Sequence, residues 1–158
     1  GKGDAAGADA ELAIVRRAAS GVAADSLIGL NNSRSVLAVA ADVLEARIAR
    51  AGKDSDREIA SLRHAVAGEA ALSYDEPPDW FYPVRESLGG ALLVAGKNAE
   101  AEKVFREDLE KNPGNGRSLF GLAESLRRQN KSAAAEMVTM ELDRAWKNAD
   151  TRLSVENL

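Results

Sequence analysis

The feature that most constrains this chain is a copy of part of itself placed 34 residues further along. Leu88, Leu92, Gly96, Ala101 and Pro113 have counterparts in Leu122, Leu126, Asn130, Ala135 and Lys147. The first three pairs keep one inner helix and its stop, and the alanine pair keeps a small residue where two helices cross. A two-helix unit of this length cannot bury its apolar face alone, so successive copies must stack and share one core. Only 4% of the residues are aromatic, so that core is built mainly from Ala, Leu and Val, whose small size suits close helix approach.

Helical spacing and punctuation place the elements. Residues 1–8, rich in Gly and Ala, read as a flexible end, and 9–158 as one domain. Asp9 is the expected cap of a first helix carrying Leu12, Val15, Ala18 and Ala19 to about Ser20. After an irregular segment ending at Asn31-Asn32-Ser33, Ser33 caps a second helix over 34–51 with Val36, Leu37, Ala40, Leu44 and Ile48 on one face. Asp54 or Ser55 caps a third, with Ile59, Leu62, Val66 and Ala70.

The run Tyr74-Asp-Glu-Pro-Pro-Asp79 cannot continue a helix, because proline lacks the N–H and clashes with the preceding turn. Four more helices follow: 83–96, 99–111, 116–129 and 132–148. The tail to Leu158 reads as a short cap or a loose end. No segment shows strand alternation. The expected class is all-α, in antiparallel hairpins over about 34–73, 83–112 and 116–148.

These residues carry a resemblance to a known family. Leu88-Gly89, Ala101, Phe105 and Pro113 stand where the tetratricopeptide repeat (TPR) family puts Leu-Gly, Ala, Phe and Pro. Gly96-Lys-Asn-Ala-Glu-Ala-Glu-Lys-Val-Phe105 is similar to the turn and second helix of such a repeat. Arg85 and Leu92 replace the family's Trp and Tyr; Thr139 and Lys147 fill the Phe and Pro slots of the next copy. In the pair 34–73 those Ala and Phe slots hold Ala60 and His64. The segment Tyr74 to Gly121 further resembles the C-terminal part of bacterial multi-repeat proteins of largely unassigned function. The resemblance implies a right-handed solenoid whose concave groove, lined by first helices, receives a peptide or helix of a protein partner. Some relatives grip a terminal carboxylate with Lys and Asn in that groove; the matching positions here are Glu86, Gly90, Arg117 and Gly121, so that specificity does not carry over.

Helical offsets put Glu86, Gly90 and Leu93 on the same side as Arg117, Phe120, Glu124 and Arg127. Four aromatics, Tyr74, Trp80, Phe81 and Tyr82, lie within nine residues. They read as space-filling between hairpins; as binding anchors, Trp80 and Tyr82 are the residues of choice. The candidate ligand-binding set is therefore Trp80, Tyr82, Glu86, Leu93, Arg117, Phe120, Glu124 and Arg127. Arg117, Arg127 and Arg128 offer charge to an acidic ligand, against the plainer reading of a solvated face. Met137 and Met140 read as core fillers.

Other chemistries find little. A formal net charge of −4 argues against a nucleic-acid binder, which needs a basic stripe. No apolar run of about 18 residues is present to span a membrane. The absence of cysteine removes disulfides and thiolate metal sites. His64 is the one histidine, with Glu58 and Glu69 at offsets that do not converge on it. Gly116-Arg-Ser118-Leu-Phe-Gly121 misses the nucleophile elbow, and Asp54-Ser-Asp56-Arg-Glu58 lacks a calcium loop's glycine and length.

No cofactor, metal or enzymatic activity is expected. The reading is a protein- or peptide-binding scaffold. The alternatives are a structural or self-associating (homo-oligomeric) segment, or the docking arm of an enzyme whose active site lies elsewhere. The opening Gly1-Lys2-Gly3-Asp4 reads as a processed end of something longer, and a removed leader would leave no trace, so the only lean is to the cytoplasm.

Overall fold

A computed structural model describes residues 4–158. Among them are seven helices and one two-stranded sheet, and no helix is long and apolar enough to cross a membrane. The class is all-α, as expected. The chain gathers into two compact units, Gly1–Val84 and Arg85–Leu158, where the sequence reads as one domain over 9–158. Each unit is described by itself.

In the first unit, α1 (Ala5–Gly21) begins earlier than its spacing suggested. Asp4, rather than Asp9, caps it by accepting from the Gly7 amide at 2.8 Å. Residues 1–3 of the expected flexible end lie outside the described residues. The segment before α2 pairs β1 (Leu27–Ile28) with β2 (Asn31–Asn32) in antiparallel register. The reversal is permitted by Gly29 at φ 54°. Strands of two residues leave no alternation to detect.

Asn32, not Ser33, caps α2 (Ser33–Ala51) by accepting from the Arg34 amide at 3.0 Å, while the Ser33 hydroxyl pairs with that of Ser26 at 3.1 Å. Helix α3 (Ser55–Ala70) is capped by Asp54 as expected. The deepest line of α2 is Val36, Val39, Val43, Ala46 and Ala49, whereas Leu37, Ala40, Leu44 and Ile48 are half-buried. The helix packs on both α1 and α3, so its buried arc is wide and the larger side chains lie along its margins. Glu45 of α2 bonds Arg16 of α1 at 2.5 Å and Arg57 of α3 at 3.0 Å. Burial raises the Glu45 carboxyl, but those two guanidinium groups outweigh it and hold the group below its ordinary range.

After α3 the chain is held to the small hairpin by the Asn31 side chain and by Asp75, which accepts from the Leu30 amide at 3.3 Å. The Asn31 amide donates to the Ser73 carbonyl at 3.0 Å and to Asp79 at 2.8 Å, while its oxygen accepts from the Ser73 amide at 2.6 Å. Further along, Glu69 accepts from the amide of Val84 at 3.2 Å.

The second unit contains α4 (Val84–Val94, whose first residue closes the first unit), α5 (Asn98–Lys111), α6 (Gly116–Arg128) and α7 (Ser132–Trp146). A 3-10 turn, Val155–Asn157, ends it. Its core joins Leu88, Leu92 and Phe105 to Leu119, Leu122, Leu126 and the two crossing alanines, Ala101 and Ala135. The Phe105 ring lies against bare backbone on two helices. A Cβ built on Gly89 would stand 2.3 Å from it, and one on Gly121 2.1 Å.

The hairpin turns repeat. Gly96 and Asn130 have φ of 73° and 59°. Each is followed by a lysine amide that bonds back across the turn, Lys97 to Leu92 at 2.9 Å and Lys131 to Leu126 at 3.0 Å. The first unit closes its α2–α3 hairpin in the same way: Lys53 has φ 60° and the Asp54 amide bonds Ala49 at 2.9 Å. This six-residue closure satisfies helix-end carbonyls that would otherwise lack partners.

Candidate functional site

The second unit brings a chain of polar side chains to the first turns of α4 and α6. Asp108 of α5 is fully buried and accepts from Ser118 at 2.6 Å, Asn112 at 2.9 Å and Asn115 at 3.0 Å. Asn115 caps α6 with its oxygen on the Arg117 amide at 3.1 Å. Its amide group also reaches Glu86 of α4 at 2.8 Å. Glu86 in turn accepts from the Arg117 guanidinium at 2.6 Å. Each buried acceptor therefore has a donor, as burial requires, and Arg117 is held in place by a neighbour on each side.

The free end of that guanidinium donates to the Asn157 carbonyl of the chain's own tail. Two apolar side chains anchor the same turn, for Val155 and Leu158 are both buried. Leu158 sits over Gly90 of α4, where a Cβ would approach its own to 2.8 Å. Glu86, Gly90 and Arg117 thus form one seat, as their helical offsets suggested, and a short segment of this chain fills it.

Upstream of that turn the tail crosses α6 and α7. Trp146 covers the start of α6, where a Cβ on Gly116 would lie 2.2 Å from its ring. The indole donates to the Thr151 carbonyl at 2.8 Å. Phe120 is half-buried and lines a depression of about 360 Å³ with Leu142, Trp146 and Leu153.

The remaining candidates are placed differently. Leu93 is fully buried, so it belongs to the core and offers no surface to a ligand; α4 is covered on that side as well. Glu124 and Arg127 pair with each other at 2.5 Å on the surface of α6, and Arg127 also reaches Thr139 at 2.8 Å. Arg128 donates to the Leu93 carbonyl at 2.7 Å. Met137 and Met140, read as core fillers, are exposed on α7, whose only buried residue is Ala135.

Trp80 and Tyr82 lie in the first unit, clustered with Phe81 at ring separations of 5.0–6.1 Å. Both are half-buried with their polar atoms covered, whereas Phe81 and Tyr74 are 80% and 79% exposed. The open rings are thus the two that were not singled out. The Tyr74 hydroxyl donates to Glu76, which pushes the phenol above its usual range.

Among the described residues no three His, Asp or Glu side chains are grouped to hold a metal ion. His64 is exposed on α3. Burial raises the nearby Asp42 carboxyl, and the charge of His64 opposes that shift. Sequence reasoning missed Asp108 and Asn115, and it read the tail as a short capping helix or a loose end without placing it at the seat. Asp108 lies near the end of a charged helix where nothing marks it as interior, and the visible trace of the turn is the three-residue spacing of Val155 and Leu158. Comparison of the chain with protein-family models, curated proteins and solved structures found no match in any of the three.

Proposed function

We propose that this chain is a non-catalytic scaffold of the TPR type, a right-handed stack of helical hairpins that binds a protein or peptide in its concave groove. The observation that carries this reading is the seat at Glu86, Gly90 and Arg117. It holds a short peptide turn by the close approach of Leu158 to Gly90 and one donor to a backbone carbonyl, and the turn buries Val155 and Leu158. Grooves that take peptides gain affinity in this way, from preformed polar groups and a few apolar pockets. The repeated turn at Gly96 and Asn130 supports the repeat architecture.

Selection of displayed random peptides on the immobilised chain tests the reading. Peptides held by the wild-type chain and released by Arg117→Ala are expected. Peptides that bind both equally, or none at all, would count against the groove.

A second reading, self-association, is favoured by the exposed methionines of α7, Met137 and Met140; Met140 borders a depression of about 460 Å³ with Arg127, Ala135 and Thr139. Exposed apolar faces mark interaction sites. Sedimentation of the wild-type chain and of Met137→Glu would detect a dimer lost on substitution.

A further inference from the structure

Building on the groove reading, we infer that Arg152–Leu158 is a competitor carried by the chain itself. The seat at Glu86, Gly90 and Arg117 binds, from a separate partner, a short turn of the same chemistry: two apolar side chains three residues apart with polar residues between them. The chain's own segment must leave before that partner binds.

Three observations lead there. First, the polar half of the seat stands without the tail. Glu86 orients Arg117 at 2.6 Å and is itself held by Asn115 at 2.8 Å. A donor fixed in advance and aimed at a main-chain carbonyl selects for backbone shape and tolerates many sequences. The apolar half supplies selection, because Gly90 opens a hollow that Leu158 fills.

Second, the turn is organised by its own atoms. The Asn157 side chain accepts from the Ser154 amide at 2.9 Å and donates to the Arg152 carbonyl at 3.3 Å. It is a compact unit able to dock and undock whole, as a bound peptide would, with Glu156 and Asn157 exposed, Val155 and Leu158 buried, and Leu158 over Gly90.

Third, the attachment is by irregular chain, held to α7 through the Trp146 indole on the Thr151 carbonyl at 2.8 Å. Residues 147–154 form no helix or strand, so the turn is tethered by an irregular stretch whose effective concentration at the seat is high but finite. A tethered competitor reduces the apparent affinity for a free peptide by the fraction of time the seat is filled.

The test uses the peptide Arg152–Leu158, blocked at both ends so that no terminal charge contributes, and labelled for fluorescence anisotropy. Against the full chain carrying Leu158→Asp, which puts a charge on the buried side chain of the turn and leaves the residues of the seat unchanged, the peptide should bind at least about tenfold more tightly than against wild type. Adding Arg117→Ala should remove that gain. A Leu158→Asp chain with wild-type helical circular dichroism and no gain overturns the inference.

The wild-type chain provides a second measurement that needs no variant. Saturating peptide should expose the buried methyl groups of Val155 and Leu158, read as a shift of their resonances toward those of the free peptide, and unchanged resonances overturn the inference. If displayed peptides bind through Arg117 while Leu158→Asp changes nothing, the groove stands and the competitor falls. If no peptide binds either chain, both fall. A wild-type dimer that is lost on Arg117→Ala would make the occupant a second copy of this chain, against the separate partner inferred here.

Discussion

Gly96 and Asn130, one repeat length apart, hold the same left-handed backbone conformation, with φ of 73° and 59°. Both reverse the chain between successive helices, α4 to α5 and α6 to α7, and both precede a lysine whose amide closes the turn. The conformation is free of steric cost for glycine and tolerable for asparagine. Gly96→Ala should therefore cost about 1–2 kcal/mol, the usual penalty for a Cβ in this region, while Asn130→Gly should leave stability within a few tenths of a kcal/mol or raise it. Urea unfolding of the two variants checks both signs.

Phe105 and Gly121 should behave as one unit. A methyl group on Gly121 would stand 2.1 Å from the ring, and the surrounding core offers it no room. Gly121→Ala is expected to destabilise by about 1–3 kcal/mol through overpacking. Phe105→Leu placed on top should recover part of that loss. A double-mutant cycle reads the coupling; strict additivity would mean that the ring and the glycine are not in contact.

Asp108 organises the ends of α5 and α6 from the interior. Its replacement by alanine leaves the buried Ser118 hydroxyl without this acceptor and takes one bond each from Asn112, which is exposed, and Asn115, which keeps Glu86. With one buried donor left unpaired, Asp108→Ala should cost about 1–3 kcal/mol. It should also loosen Glu86 and Arg117, because Asn115 links them to Asp108. Thermal melts give the first effect, and peptide binding by Arg117-dependent ligands gives the second.

Stability should fall on acidification in a window set partly by Glu102. The Lys131 ammonium, bonded at 2.7 Å, lowers this carboxyl from its ordinary value of 4.5; burial opposes it, and Gln129 and Arg106 add to the lowering. A carboxyl depressed in the folded state contributes stability that is fully present above its unfolded value and is lost as pH falls through its folded value. The loss should begin near pH 4.5 and continue below it. Glu102→Gln is expected to flatten that limb of a stability–pH curve; an unchanged slope would remove Glu102 from the account.

The second unit was legible because its pattern is written twice. Leu88 and Leu92 with Leu122 and Leu126 set the inner faces, and the residues at the stops were readable as Gly96 and Asn130. In the first unit the pattern occurs once, and neighbouring residues competed for the same role. Asn32 and Ser33 are both good caps, and only geometry decides that Asn32 takes the Arg34 amide. The α2 face was misplaced for a different reason. Packing on two neighbours leaves Leu37, Leu44 and Ile48 at the margins, a position that spacing alone does not distinguish from the centre.

The site followed the same division. Glu86 and Arg117 share a side by helical offset, and they bond each other. Leu93 is on the same helix, but its apolar character was the better guide to its place in the core. The tail turn gave little signal, since a segment of a few residues is too short to show a period.

The ring of Phe105, wedged between two helix backbones, also sets what this unit can do mechanically. Gly89 and Gly121 each face it with no side chain to yield, so α4 and α6 cannot slide lengthwise without expelling the phenyl group. That interlock makes the middle of the four-helix block stiff in shear. Large displacements are left to the segments outside the interlock, the outer helix α7 and the strand of chain that follows it.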